Sequence, residues 1–237
     1  MPRYTPGEIT IKGTHIHFPD AASLVAIYDE IFDKQVYRFT AKGTAPLIID
    51  CGANIGISAL YFKTIYPDSQ VIAFEPDPAV FAYLQKNTAA WKDRGMTLIN
   101  KGVWREEGEL KFLSEGADSG KVVGDGEQPA GTLSRIEVDR LSKYINRPVD
   151  FLKIDIEGAE LEVLREIEQK LSLVTNLFIE YHSFTGQEQQ LDQILEILSR
   201  QGFRYYIYSP TMLRNIPFVD KGDYHGMDGM LNICATR

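Results

Sequence analysis

From Leu47 onward, short runs of strand-forming apolar residues alternate with segments of helical periodicity, and the first two runs each close on an acid. Leu47-Ile48-Ile49 ends in Asp50, turns through Cys51-Gly52-Ala53-Asn54-Ile55-Gly56, and enters a helical pattern that reaches Tyr66 and is stopped by Pro67. Val71-Ile72-Ala73-Phe74 ends in Glu75-Pro76 and leads to a helix from Pro78 to about Trp91, with proline in the favoured first turn. Such alternation is the signature of βαβ units, whose crossovers bury a parallel sheet between helical layers. Further strands are expected at 96–104, 109–113, 149–156 and 176–181. Helices follow the last two, carrying Leu161, Val163, Leu164 and Ile167, then Leu191, Ile194, Leu195 and Leu198 before Gly202. Residues 203–208 and 230–235 read as strands with no helical crossover between them, which predicts an antiparallel hairpin at the sheet edge.

Two units are expected: an N-terminal extension over 1–45 and an α/β domain over 46–237. In the extension, 8–18 alternates with period two and reads as a strand, and Leu24, Ile27, Ile31 and Phe32 mark a helix over 23–32. The glycine-rich stretch 116–131 reads as a loop, either a lid or a solvated excursion, and the loop 209–229, holding Tyr224, His225, Met227 and Asp228, is expected to shape a binding pocket. A net charge of −8 with scattered Lys and Arg gives no field for nucleic acid. Cys51 and Cys234 form neither a disulfide framework nor a metal-ligand spacing, which favours a reducing, cytoplasmic setting. Residues 1–7 lack the apolar core of a signal peptide, and no apolar run approaches the roughly 20 residues that span a bilayer.

In open parallel sheets ligands bind outside the carboxyl ends of the strands. Glu75 suits the two hydroxyls of a ribose, whereas Asp50 would repel a pyrophosphate and suits a cationic ligand. The dinucleotide fingerprint G-x-G-x-x-G is absent, because Asn54 stands at the second glycine position, and this disfavours a nicotinamide dehydrogenase. A nucleoside with a positive centre and no phosphate is S-adenosylmethionine. A second anomaly lies in the strands 149–156 and 176–181, which a buried parallel sheet should make continuously apolar. Lys153 and Asp155 share one face, as do Glu180 and His182, so neighbouring strands would gather four ionisable groups at their carboxyl ends. A structural ion pair of Lys153 with Glu180 or Asp155 would account for the lysine alone. Asp155, Glu180 and His182 could together hold a divalent metal, but the spacing demands none and assigns no metal site. His15 and His17 share a strand face and read as surface.

Asp50-x-Gly52-Ala53-Asn54-x-Gly56, then Phe74-Glu75-Pro76, then Phe151-Leu152-Lys153-Ile154-Asp155-Ile156-Glu157-Gly158-Ala159-Glu160 resembles the FkbM family of S-adenosylmethionine-dependent methyltransferases, over about residues 36–185. The resemblance implies a class I methyltransferase (Rossmann-like) α/β fold: a seven-stranded, mostly parallel sheet with helices on both faces and an antiparallel last strand. It implies O-methylation of a hydroxyl on a sugar, a polyketide or another small natural product. Carried over by position, Asp50, Gly52, Ala53, Asn54 and Gly56 line the methionine and ribose part of the cofactor, and Glu75 takes the ribose hydroxyls. Pro76 and Asp77 flank the adenosine, and Gly102 and Val103 border the adenine. The acid many methyltransferases carry near the end of the third strand is missing, and Asp118-Ser119 is the substitute considered.

A hydroxyl acceptor must lose a proton, for which Asp155 and His182 are the first candidates and Glu157 and Glu180 the next. Three rivals share the architecture. A base methyltransferase expects an Asp/Asn-Pro-Pro-aromatic tetrapeptide where this chain has Asp155-Ile156-Glu157-Gly158. A nicotinamide-dependent dehydrogenase lacks its turn here, and a catalytically inert cofactor-binding or assembly module would keep the Asp50–Gly56 loop without an acceptor pocket. Homo-oligomerisation stays open.

Overall fold

The computed structural model describes residues 4–11, 13–114, 120–122, 132–210, 218–219 and 226–237. It begins with a hairpin, β1 (Gly7–Ile11) and β2 (Thr14–Phe18), followed by helix α1 (Ala21–Tyr28) and a π-helical turn over Asp29–Asp33. The α/β alternation then runs β3 (Leu47–Cys51), α2 (Ile57–Ile65), β4 (Gln70–Phe74), α3 (Pro78–Asn87) and β5 (Met96–Ile99). Four strands follow without a helix: β6 (Gly102–Trp104), β7 (Gly108–Ser114), β8 (Gly120–Val122) and β9 (Thr132–Arg140). The chain returns through β10 (Val149–Ile154), α4 (Glu160–Glu166), β11 (Val174–Phe184), α5 (Leu191–Arg200), β12 (Arg204–Tyr208) and β13 (Met227–Thr236).

The main sheet has seven strands in the order β12-β13-β11-β10-β3-β4-β5. Only β13 is antiparallel, to β11 on one side and to β12 on the other, so the closing hairpin does form and β12 holds the edge. The strand order reverses between β3 and β10, the place where open α/β sheets bind ligands. Period-two alternation splits the core into two layers. Ile49, Leu152, Ile154, Leu177 and Ile179 face α4 and α5, whereas Ile48, Phe151 and Phe178 face α2 and the N-terminal segment. The latter layer includes Ile16, Leu24, Ile31, Tyr37 and Phe39, so the stretch from β2 to Phe39 packs on the sheet. Phe39 stacks on Phe151 at 5.0 Å between ring centroids, and Tyr37 meets Phe178 edge-on at 4.8 Å.

Four expectations change. The strand read over 8–18 is a hairpin that turns at Gly13, whose φ of +82° favours glycine. The strand read over 96–104 is two: Asn100 turns its amide back to donate to the carbonyls of Glu75 and Pro76, and the chain leaves the main sheet. It joins a second sheet in the order β6-β9-β7-β8, which holds the expected strand 109–113 as part of β7. Strand β9 was not anticipated, although its alternation is plain, with Ile136 and Val138 buried and Arg135 and Glu137 exposed. Finally, β11 extends to Phe184, which places His182 inside a strand rather than at its end. Asp118, Ser119, Tyr224 and His225, together with most of the stretch 116–131, lie outside the described residues. Among the described residues no helix is long and apolar enough to cross a membrane.

Candidate active site

At the carboxyl ends of β3, β4 and β10 lies a cleft of about 260 Å³. Its first wall is the β3–α2 loop. Gly52 has φ +85°, and a Cβ there would stand 1.8 Å from the carbonyl oxygen of Asp155, so only glycine lets the two strand ends approach. The Gly52 and Ala53 amides both donate to the Phe74 carbonyl, tying this loop to the end of β4. Asn54 follows with φ +50°, and its amide donates to Glu75 Oε2 at 2.9 Å. The Asp77 amide donates to Glu75 Oε1, also at 2.9 Å, so one backbone donor fixes each oxygen of this carboxylate. Burial pushes the Glu75 carboxyl up to about 7, against the pull of these two hydrogen bonds. Asp77 caps α3 by accepting from the amides of Ala79 and Val80, and its other oxygen takes a hydrogen bond from the Ser114 hydroxyl.

Beyond Glu75 the cleft becomes an apolar slot. Pro76 lines it together with Val103, Phe112, Ile136 and Val138 of the second sheet. The far end is acidic. Asp155, Glu157 and Glu180 line it with Lys153, and the N-terminal segment closes the side with Ile27, Glu30, Ile31 and Tyr37. Lys153 lies directly opposite Asp50 in the β10–β3 register. Its ammonium donates to the Gly52 carbonyl at 2.8 Å and stands 3.0 Å from Asp155 Oδ2 and 3.4 Å from Asp50 Oδ1. Burial opposes this charge, but Asp155 and Asp50 outweigh it and hold the lysine protonated.

The remaining acids crowd one another. Burial, then Glu180 and Asp155, raise the Glu30 carboxyl to about 7, while the Asn232 amide donates to it at 3.2 Å. Burial, and after it Asp155, raises Glu180, and burial lifts Glu157 to about 8 against the neighbouring His182. His182 is buried: its Nδ1 lies 3.0 Å from Glu160 Oε1, and its Nε2 lies 3.4 Å from Glu180 and 3.6 Å from Glu157. Burial works against its charge, but Glu157, Glu160 and Glu180 together hold it well above the usual histidine range. This end of the cleft can accept a proton near neutral pH and attract a cation.

The fold therefore brings Gly52, Ala53, Asn54, Glu75, Pro76 and Asp77 to the same cleft as Gly102 and Val103, with Asp155, Glu157 and Glu180 at its other end. Three expectations need correction. Asp50 is fully buried and does not line the cleft; it accepts from the Ser58 hydroxyl at 2.5 Å and faces Lys153, so it supports the floor instead of meeting a cationic ligand. Gly56, at φ +92°, lies against α3, where a Cβ would meet Leu84 Cδ1 at 2.7 Å, and is likewise set back from the cleft. His182 does not face the crevice, because Glu157 and Glu180 stand in front of it. Sequence reasoning missed Glu30, Tyr37 and Glu160. Glu30 had a signal, an acid set inside the apolar repeat of Leu24, Ile27 and Ile31.

Comparison with known proteins bears on this geometry. The family model for the methyltransferase FkbM domain matches residues 50–205. The methyltransferase sdnD of Sordaria araneosa is 31% identical over 206 residues, covering 72% of this chain and 79% of that protein. A protein of Sinorhizobium fredii named 2-O-methyltransferase NoeI is 27% identical over 174 residues, covering 65% of this chain and 71% of its own. A crystal structure of an FkbM methyltransferase from Methylobacillus flagellatus shares the fold, with a TM-score of 0.55 and 21% identity. The match covers 85% of this chain and 46% of that one, so the chain spans less than half of the solved protein. With the family model running from Asp50, next to last in β3, to the start of β12, the chain belongs to the FkbM family of methyltransferases.

Proposed function

We propose that this methyltransferase moves the methyl group of S-adenosylmethionine to a hydroxyl oxygen on a small acceptor such as a sugar, a polyketide or another natural product. The observation that carries the reading is the pairing, in one cleft, of a nucleoside-sized slot at Glu75 with a cluster of carboxylates at Asp155. The residues fit the cofactor. Gly52 and Ala53 bring bare backbone to the cleft wall, the Glu75 carboxylate is fixed there by two backbone amides and can accept from vicinal hydroxyls, and the slot of Pro76, Val103, Ile136 and Val138 suits a flat base. The acidic end favours a cationic centre over a phosphate. The relative named a 2-O-methyltransferase is in keeping with oxygen as the acceptor atom.

When bound, the cofactor supplies a methyl group already activated by its sulfonium. Positioning and exclusion of water can then provide much of the rate. Tyr37, Ile27 and Ile31 supply apolar surface at the acidic end, where a bound acceptor would displace water. Lys153 holds Asp155 by one oxygen, leaving the other to accept the acceptor's hydroxyl proton as that oxygen becomes methylated. The test is incubation with isotopically labelled cofactor and a panel of hydroxylated sugars, polyketides and glycolipids. A product heavier by one methyl, located on oxygen, is expected. Methylation confined to nitrogen or carbon would overturn the reading, and so would tight cofactor binding with no turnover on any hydroxylated compound.

A further inference from the structure

The acidic end of the cleft carries more negative charge than the described residues balance. Glu30, Asp155, Glu157 and Glu180 all line it, and among the described residues only Lys153 and, behind Glu157 and Glu180, the His182 imidazole offer positive charge. That lysine is already committed to the Gly52 carbonyl, to Asp50 and to one oxygen of Asp155. One ligand atom each from Asp155, Glu180 and His182 lie within 4.8 Å of one another, close enough to share a single ion. His182 is built as metal-binding histidines are. Its Nδ1 is held at 3.0 Å by the buried carboxylate of Glu160, which in turn accepts from the Gly158 amide at 2.9 Å. Glu160 thus holds Nδ1 as a donor and turns Nε2 toward Glu180 and Glu157, and an ion bound there would take the place of the Nε2 proton.

A second observation is independent of the cluster's charge. Glu157 stands in front of His182 with φ +54°, a left-handed conformation that a glutamate adopts at a cost. The next residue, Gly158, has φ +97°, and a Cβ there would meet the Phe184 ring at 2.8 Å. The backbone is thus constrained to bring this carboxylate to the mouth of the same site.

We propose that Asp155, Glu180 and His182 bind a divalent first-row transition-metal ion of the Mn²⁺ type, with Glu157 as its gate. Two carboxylates suit a hard cation, and the imidazole shifts preference from Mg²⁺ toward Mn²⁺. The free coordination positions would take the acceptor hydroxyl and lower its pKa beside Asp155. That role rests on the hydroxyl reading above, whereas binding of the ion does not.

The test uses the full chain, stripped with chelator and titrated with Mn²⁺ alone by calorimetry and by electron paramagnetic resonance. One ion per chain is expected, with nitrogen hyperfine coupling from one histidine. Glu180→Gln and His182→Ala should weaken Mn²⁺ at least about tenfold. S-adenosylhomocysteine affinity, measured in the same samples, reports whether each variant is folded. Glu8→Ala is the control, because Glu8, His15 and His17 form a second, exposed group of candidate ligands, and it should leave the tight site intact. Absence of Mn²⁺ binding, a wild-type spectrum without nitrogen coupling, or binding lost on Glu8→Ala would each overturn the proposal. The nitrogen coupling is read on unmutated protein, so misfolding of a variant cannot mask the answer. A failure of S-adenosylhomocysteine to bind the wild type would strike the cofactor reading and leave the metal titration to stand or fall separately.

Discussion

Replacing Glu75 with Gln should weaken cofactor binding while strengthening the ligand-free protein at alkaline pH. Burial raises this carboxyl from 4.5 to about 7 in the folded chain. A difference of that size corresponds to about 3 kcal/mol between the two protonation states. Because the folded value lies above the unfolded one, the stabilisation from protonation is complete below about pH 4.5 and is lost as pH rises through about 7. At pH 8 the ionised carboxylate therefore costs the empty fold about 3 kcal/mol, and Gln removes that cost. Against this, Asn54 and Asp77 each donate a backbone amide to one Glu75 oxygen, and the Gln amide must turn its own donors toward one of them. An unsatisfied buried donor costs about 1–3 kcal/mol. The variant should then be less stable than the native protein at pH 5 and equal or more stable at pH 8. Urea denaturation at both values tests this, because titrations elsewhere cancel in the difference. Calorimetry with S-adenosylhomocysteine at pH 8 should show affinity lower by about ten- to a hundred-fold, since a hydrogen bond to a charged acceptor is worth about 1.5–3 kcal/mol. Native affinity should itself fall below pH 7, by at most about tenfold per pH unit. A stability difference that ignores pH, or an unchanged affinity in the variant, would refute the reasoning.

Lys153→Met leaves Asp50 buried without its cation and should cost about 3–5 kcal/mol, visible as a fall in Tm of about 6–20 °C, with partial recovery when Asp50→Asn is added; no recovery would mean that the Asp50 contact contributes little. Asp155→Asn keeps the shape of the site but cannot take a proton, so single-turnover rates should drop about 10²–10⁴-fold while S-adenosylhomocysteine affinity stays within about twofold; a parallel loss of both would place this acid against the cofactor. Gly52→Ala forces a Cβ onto the Asp155 carbonyl at a left-handed φ, and should abolish cofactor binding in calorimetry along with much of the stability; a variant that binds normally would show that the strand ends can part freely.

Much of the architecture is legible in the sequence because burial on both faces writes itself as uninterrupted apolar runs. Ile48-Ile49, Val71-Ile72 and Leu152 with Ile154 need no context to be read as inner strands, and the acids that end them mark the ligand side of the sheet. The readings that failed concern register and local breaks. Lys153 was expected to pair with Glu180 or Asp155; it does meet Asp155, but its second acid is Asp50 and not Glu180, because the parallel register sets it opposite Phe178 on β11 and Asp50 on β3. No spacing argument gives a register between strands a hundred residues apart. The break at Asn100 was hidden for a similar reason, since Met96–Trp104 is strand-like throughout and only the Asn100 amide, reaching back to Glu75 and Pro76, divides it. β9 was overlooked because a half-exposed alternation is a weaker signal than an apolar run.

The corrections at the site share a pattern that carries its own argument. Asp50, Gly56 and Glu160 do not line the cleft, yet each holds a residue or an element that does. Asp50 steadies Lys153, which fixes the Gly52 carbonyl and Asp155; Gly56 lets α2 settle against α3, whose capping residue Asp77 donates its amide to Glu75; Glu160 turns His182 toward Glu157 and Glu180. A motif such as D-x-G-A-N-x-G is thus a record of close packing as much as of ligand contact, and its residues cannot be divided between the two roles by sequence alone. The N-terminal segment shows the converse. Glu30, Ile31 and Tyr37 lie before the span matched by the family model, yet they close the acidic end of the cleft. On the proposed function, the cofactor slot is built within the matched span, whereas one wall of the acceptor side comes from outside it. Substitutions at Ile27 or Glu30 should therefore change the KM for the acceptor and leave S-adenosylhomocysteine affinity nearly unchanged, a split that steady-state kinetics and calorimetry on the same variants would reveal, and a loss of cofactor affinity at these positions would show that the division is not real.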